Sequence, residues 1–159
     1  MVPGSIVERT AASLTGAGGR HDDRATAQAY YDTTNGNSGG AYRATDVDLE
    51  PTTDTGAGYN LMKTRAGEWL HYTVNVSTTG TYTFEARVAS VGAGSKFRVT
   101  VDGTDVTGAM DVPDTGGWQT WRTVPGNVSA VTGRQTVYLT FSSGQPNDFV
   151  NVNWFHFRR

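Results

Sequence analysis

Strict alternation of apolar and polar residues is the feature that most restricts how this chain can fold. In residues 67–76 four apolar side chains share one face of an extended strand, namely Leu70, Tyr72, Val74 and Val76. The same alternation recurs in residues 82–88, 97–101 and 137–141, and residues 151–157 have the composition of a closing strand. No segment has the spacing of an amphipathic helix. Short strands of this kind predict an all-β chain folded as a β-sandwich.

Turns and loops are expected between these strands. Twenty glycines and few long helix-forming residues favour many turns, and residues 77–80 and 102–103 predict two of them. The first 60 residues are less regular, and the short strands expected there are 6–9, 29–31 and 47–50. Because no internal repeat or linker divides the chain, we expect a single domain over residues 1–159.

Charge and composition exclude several kinds of partner. Thirteen basic and fifteen acidic residues give a net charge of −2, which offers no electrostatic attraction to nucleic acid or to an anionic membrane. No stretch is apolar for long enough to span a bilayer, and the first residues lack the regions of a signal peptide. Without cysteine there is no disulfide and no thiolate metal site. This profile is typical of a secreted bacterial module, so we expect an extracellular monomer.

Residues 114–121 place a tryptophan where the backbone should turn. Trp118 follows two glycines in this loop, whereas Trp121 begins a run that resembles a strand. An exposed indole offers a flat apolar face to the C–H faces of a sugar ring, so the segment can serve as a binding platform. The alternative is that Trp118 folds back as a lid over the edge of the core.

Several short sequence motifs follow one another along the chain. They are Gly-Gly-Ala-Tyr-Arg at 39–43, Asp-Val-Asp-Leu-Glu at 46–50, and the segments 54–60, 67–74, 80–90, 116–121 and 151–155. In this order and spacing they resemble the family 6 carbohydrate-binding modules, from about residue 33 to residue 157. The opening residues 2–6 also suit that family.

The resemblance implies a β-sandwich of jelly-roll type, carried as a non-catalytic appendage by secreted polysaccharide hydrolases. Such a module binds a polysaccharide or oligosaccharide, of β-glucan, xylan or agarose type, and keeps the catalytic domain of the same parent chain close to it. The family has two sugar sites, one in the loops at an end of the sandwich and one on the concave face of a sheet.

Carried over residue by residue, the resemblance places the loop site at Trp118, Asn151 and Glu50. Trp118 would stack on the sugar, Asn151 would bond ring hydroxyls, and Glu50 would accept hydrogen bonds from a hydroxyl pair. The family often has a second aromatic ring where this chain has Lys63. Lys63 then serves hydroxyls or an anionic group, or is a solvated lysine. Tyr59 lies four residues earlier and need not point the same way.

The resemblance places the concave-face site at Trp69 and His71, with Glu85 and Arg87 expected on a neighbouring strand. By alternation these side chains leave the core face. The alternative, which we favour, is an ordinary outer sheet face with a glutamate–arginine pair and a tryptophan covered by N-terminal loops.

Members of the family commonly carry a structural calcium ion near the N-terminal strand. In this chain Val7 and Arg9 stand where carboxylates are expected, and Glu8 is out of phase with them. Because Ca²⁺ needs several oxygen ligands, the site is predicted to be lost or weakened, and we expect no cofactor.

Two other classes of function remain open. A small glycoside hydrolase would need two paired carboxylates, for which the candidates are Glu50, Asp54, Glu68 and Glu85. The Gly-x-Ser-x-Gly pattern at residues 36–40 lacks the flanking strand and helix of a nucleophile elbow. A cell-surface adhesion domain could share the sandwich without any affinity for sugar.

Overall fold

The computed structural model describes residues 6–9, 30–42 and 44–159, and for residues 6–9 and 77 it gives the backbone only. Over these ranges the chain forms the strands β1 (Ile6–Arg9), β2 (Tyr30–Tyr31), β3 (Leu49–Pro51), β4 (Tyr59–Thr64), β5 (Trp69–Ser90), β6 (Lys96–Val101), β7 (Thr104–Asp105), β8 (Met110–Asp111), β9 (Gly117–Ser142) and β10 (Val150–Arg158). The same ranges contain no helix, and so none with the length and apolarity needed to cross a membrane. The all-β prediction is confirmed.

Two long strands, β5 and β9, join the two layers of a sandwich. They run antiparallel from the Trp69–Thr140 pair at one end to the Ser90–Gly117 pair at the other. The first half of β5 and the second half of β9 form the first layer, with β2, β6, β7 and β8. The other halves form the second layer with β10, which has β1 and β4 on its far edge and β3 beyond β4.

The inner faces of the two layers meet in one apolar core. Phe84 of the second layer is fully buried, and its ring centroid lies 6.3 Å from that of Phe97 in the first layer. Tyr72 of the first layer meets Phe155 of the second edge-on, with centroids 4.8 Å apart. The buried residues include the predicted inner faces, which are Leu70, Tyr72, Val74, Val76, Tyr82, Phe84, Ala86, Val88, Phe97, Val99, Val101, Val137, Leu139 and Phe141. The alternation therefore identified the core.

The turns differ in part from the predictions. Residues 77–80 make no hairpin, because β5 continues through them and shifts its register against β9 as it passes from one layer to the other. The turn near Trp118 is at Gly116 (φ 85°), and β9 begins at Gly117, so Trp118 lies in a strand and not in a loop. The turn at residues 102–103 is confirmed, because both have the positive φ, 47° and 80°, of a two-residue hairpin.

The short strands of the first 60 residues are close to the predictions. β1 has the predicted bounds, and β3 begins at Leu49, two residues after the predicted start at Val47. β2 covers Tyr30–Tyr31, while Ala29 lies outside the described residues.

Replacing Phe84 by alanine should lower the free energy of unfolding by about 3–5 kcal/mol, because it leaves a cavity where the two layers meet. Urea denaturation followed by tryptophan fluorescence measures this loss. Val91→Ala is the control, because Val91 is 54% exposed and its truncation should change stability by less than about 0.5 kcal/mol. Similar losses for the two variants would contradict this account of the core.

Candidate functional site

The second layer opens at one end into a cleft of about 190 Å³, where β3, β4, β9 and β10 lie together. Its lining residues are Glu50, Met62, Lys63, Trp118, Asp148 and Asn151. Four of the five residues predicted for the loop site are among them, although they come from distant parts of the chain. The predicted residue that is missing from the lining is Tyr59.

Asn151, at the start of β10, fastens three neighbouring strands to one another. Its Nδ2 donates to Glu50 Oε1 at 3.0 Å and to the carbonyl oxygen of Trp118 at 2.8 Å. Its Oδ1 accepts from the backbone N–H of Lys63 at 3.1 Å. Both amide hydrogens of this buried side chain are thus used within the protein. Asn151 mainly positions the groups around it.

Glu50 on β3 has one engaged and one open carboxylate oxygen. Besides the bond from Asn151, Oε1 accepts from Gln119 Nε2 at 2.7 Å and from Asn60 Nδ2 at 3.2 Å. Gln119 also donates to Asn60 Oδ1 at 3.0 Å, which closes the network. Among the residues that the structure describes, no side chain or backbone group donates to Glu50 Oε2. That oxygen can accept a hydrogen bond from a ligand hydroxyl.

Trp118 forms one wall of the cleft. Its side chain is 39% exposed, so it is no lid over the core. Its backbone is held on one side by the pairing of Gly117 with Ser90 and on the other by the bond from Asn151. The indole is therefore presented on a fixed strand end.

Lys63 also lines the cleft and supplies no aromatic face. Its backbone has a positive φ of 54°, a conformation that costs energy in residues other than glycine. The N–H bond to Asn151 holds it there. Tyr59 packs instead against Tyr42, with ring centroids 5.2 Å apart, and does not replace the missing ring.

The β3–β4 loop lies across the second layer and is pinned by Asp54. The guanidinium of Arg87 on β5 donates to both Asp54 oxygens, at 2.9 and 3.0 Å, and Asn153 on β10 donates to Oδ2 at 2.8 Å. Burial opposes ionisation of Asp54, but these hydrogen bonds outweigh it and hold its pKa below the ordinary value. Thr53 donates from its N–H to Gln119 Oε1 at 2.9 Å, so the loop also braces the Glu50 network.

The β4–β5 turn braces the other rim of the cleft. Arg65 donates from Nε to Oδ1 of the lining residue Asp148 at 2.5 Å. Behind it, the buried Glu68 carboxylate accepts from the N–H of Arg65 at 2.9 Å and from the N–H and hydroxyl of Thr33 at 3.1 and 2.7 Å. Burial raises the pKa of Glu68 despite these bonds.

Sequence reasoning missed four residues around the cleft, and they are Asn60, Met62, Gln119 and Asp148. Asn60 and Gln119 lie inside matching motifs, Met62 is next to Lys63, and Asp148 is three residues before Asn151, but nothing local shows that these side chains face the cleft. Gln119 is two residues before Trp121, yet it bonds Glu50 and Thr53 across the layer.

The structure separates the residues of the predicted concave-face site, which corrects that prediction. All four lie on β5, but Trp69 and His71 are in its first half and Glu85 and Arg87 are in its second half, so they belong to different layers. The expectation of a neighbouring strand failed because β5 continues through residues 77–80.

Glu85 and Arg87 do not form the expected pair with each other, and each has another partner among the described residues. Arg87 bonds Asp54, and Glu85 lies 2.5 Å from Nε2 of His156 and 3.9 Å from Arg158. On the outer face of the first layer, Trp69 meets Tyr138 edge-on at 5.3 Å, and His71 stacks on Tyr138 at 4.7 Å.

The predicted loss of the calcium site stays a prediction. The backbone of β1 pairs with β10, so that Val7 faces His156 and Arg9 faces Trp154, but the side chains of residues 7–9 lie outside the described part of the structure. Among the described residues no three His, Asp or Glu side chains are grouped as metal ligands.

Comparison with known proteins decides the family. A family model described as "Carbohydrate binding module (family 6)" matches residues 25–159. The chain belongs to this family. A solved relative is the β-1,3-glucan-binding family 6 module from Bacillus halodurans, which is 39% identical with a TM-score of 0.64, covering 71% of this chain and 86% of that one. This likeness confirms the predicted sandwich fold.

Curated relatives contain this module as a small part of a longer protein. The clotting factor G alpha subunit of Tachypleus tridentatus is 35% identical over 117 residues, which are 71% of this chain and 16% of that protein. The arabinoxylan arabinofuranohydrolase of Paenibacillus polymyxa is 30% identical over 116 residues, which are 70% of this chain and 18% of that enzyme. The present chain thus spans less than a fifth of either relative.

Family membership makes the chain a non-catalytic carbohydrate-binding module, and it disfavours the hydrolase and adhesion alternatives. The carboxylates considered for hydrolysis agree with this reading. Asp54 is bound by Arg87, Glu68 is buried, and Glu85 lies beside His156, so Glu50 alone of the four lines the cleft.

Glu68 should make stability fall as the pH rises. Its pKa is higher in the folded chain than in the unfolded chain, so protonation of this carboxyl stabilises the fold. This stabilisation is complete below the unfolded pKa of about 4.3 and is lost as the pH rises through the folded pKa. We expect the stability of the native protein, relative to Glu68→Gln, to decrease between pH 4 and pH 7 in urea titrations. A relative increase over that interval would contradict the assignment.

Proposed function

We propose that this module holds a neutral β-glucan chain, by its end, in the cleft beside Trp118, and so anchors a parent glycoside hydrolase to its substrate. The observation that carries the proposal is the placement of an exposed indole and an open carboxylate oxygen, that of Glu50, in one cleft. The two groups provide an apolar face for a sugar ring and an acceptor for its hydroxyls.

Each lining residue has a defined part in this proposal. Trp118 stacks on the C–H face of the sugar, and Glu50 Oε2 accepts from one or two hydroxyls. Lys63 donates from its ammonium to other hydroxyls. Asn151 keeps Trp118 and Glu50 in position through its two N–H bonds. Because these groups are held before a ligand arrives, binding costs little ordering.

The choice of a β-glucan is supported by the relatives and by the charge of the chain. The Bacillus halodurans module that binds β-1,3-glucan is 39% identical to this chain. A net charge of −2 gives no attraction for a polyanionic chain. A neutral β-1,3-glucan is therefore the first ligand to test, with xylan and agarose as the other outcomes.

One stacking ring implies modest affinity for a single sugar end, so the anchoring depends on the link to a catalytic domain. Such a link raises the local concentration of substrate without any new contact. We infer an extracellular hydrolase as the parent, in which this module acts as a monomer beside the catalytic domain, because polysaccharides of this kind lie outside the cell.

Replacing Trp118 by alanine should weaken binding to laminarin at least about tenfold, since it removes the stacking face. Affinity electrophoresis in gels containing laminarin, xylan, cellulose or agarose finds the ligand and measures the loss. Release of reducing sugar should be zero for every variant.

Trp69→Ala is the matched control, because it removes the same type of side chain from the first layer, away from the cleft. It should keep the retardation of the native protein, and melting curves should show both variants folded. If Trp118→Ala is fully retarded while Trp69→Ala is not, the cleft is the wrong site.

Lys63→Tyr should tighten binding about three- to tenfold, because it adds a second aromatic face to the cleft. Isothermal titration calorimetry with laminaritriose measures the gain, and Lys63→Met tests the loss of the ammonium without adding a ring. Weaker binding by Lys63→Tyr, together with unchanged stability, would show that the ammonium and not a ring is needed there.

A further inference from the structure

Tyr42 and Tyr59 form a second exposed aromatic surface outside the cleft. Their side chains are 53% and 37% exposed, and their ring centroids lie 5.2 Å apart with the ring planes inclined by 43°. The large apolar side chains exposed in the described part of the chain are these two, Val91 and Trp118. We call Tyr42 and Tyr59 the tyrosine platform.

The platform lies beside the wall of the cleft. Tyr59 pairs with Pro51 across the β3–β4 ladder, and the next pair of that ladder is Asn60 with Glu50. Neighbouring residues of a strand are about 3.4 Å apart, so the backbone of Tyr59 is one step from that of Asn60, although the two side chains leave opposite faces of β4. Tyr42 follows Ala41, whose N–H donates to the carbonyl of Leu49, the residue before Glu50. The platform therefore stands on the β3–β4 ladder, one residue pair from Glu50.

Hydrogen bonds hold the backbone next to both tyrosines. Asn37 Oδ1 accepts from the N–H groups of Gly39 and Leu49, at 3.1 and 2.9 Å, and its Nδ2 donates to the carbonyl of Ala41 at 2.8 Å. On the other side, the N–H of Thr52 donates to the carbonyl of Gly58 at 3.0 Å. The tyrosines therefore stand on tethered backbone.

Backbone strain at Tyr42 is not offset by burial of its ring. Its φ of 64° is a conformation that favours glycine or asparagine and is unfavourable in other residues. Since more than half of the side chain remains in water, the core gains little from it.

We propose that the tyrosine platform is an additional stacking site for the same polysaccharide, which engages sugar units beyond those held at Trp118. This inference rests on the proposed function. The two ring faces are inclined, which suits successive sugar rings that rotate along a helical neutral chain more than it suits a flat ribbon. The phenol hydroxyls donate to and accept from sugar hydroxyls. A second protein copy is a poorer occupant, since two rings offer far less than the roughly 800 Å² that each partner contributes to a stable dimer.

The test compares a short and a long ligand, laminaritriose and laminarin, by isothermal titration calorimetry. The double variant Tyr42→Ala/Tyr59→Ala should bind laminaritriose within about twofold of the native protein and laminarin about fivefold or more weakly. Tyr42→Phe/Tyr59→Phe keeps both ring faces and should retain most of the laminarin affinity. Val91→Ala, which removes another exposed apolar side chain, should change neither.

The outcomes separate this inference from the function proposed for the cleft. If Trp118→Ala abolishes binding while the double alanine variant binds laminarin like the native protein, the platform is overturned and the cleft stands. If the double alanine variant loses both ligands equally, the platform is no extension site. If the native protein binds none of the four polysaccharides, both proposals fail. If it prefers xylan, the same comparison is made with xylotriose and xylan. If the double alanine variant has a lowered melting temperature, Tyr42→Leu/Tyr59→Leu repeats the test, because leucine keeps an apolar side chain of similar bulk without the ring.

Discussion

The antiparallel ladder between β5 and β9 is the constraint on which the rest of this structure depends. Each of the two strands belongs to both layers, so their register determines how one layer lies over the other. A slip of one residue would turn buried side chains such as Phe84 and Leu139 towards solvent. The ladder ends at the Ser90–Gly117 pair, one residue before Trp118. The same pairing that closes the core therefore decides where the indole stands.

The cleft is a consequence of how the strand ends of the second layer are tied together. A buried amide needs hydrogen-bond partners, and Asn151 finds them on β3, β4 and β9 at once. Those bonds leave one oxygen of Glu50 and the face of Trp118 open. The structural role of Asn151 and the binding role of its neighbours thus come from one arrangement, which is rigid because each partner is on a strand or next to one.

Charged residues that looked available for a ligand are in part used to hold the loops. Arg87 was expected on an open sheet face, but it binds Asp54 and fastens the β3–β4 loop across the layer. Glu68 was a candidate for hydrolysis, but it is buried beneath Thr33 and Arg65. Burial makes such ionic groups expensive unless they are bonded, so the fold retains them where they satisfy backbone N–H groups or a neighbouring charge.

The sequence by itself determined the all-β class and the inner faces of the strands, because alternation is a local property. Its motifs also carried the family resemblance that implied four residues of the cleft. Only the tertiary structure decided that Trp69 and Arg87 lie in different layers, that Tyr59 packs on Tyr42, and that Gln119 and Asp148 join the site. These facts depend on which distant segments pair and on where a long strand passes between layers. Alternation shows which face of a strand a side chain occupies, but it does not show what lies opposite that face.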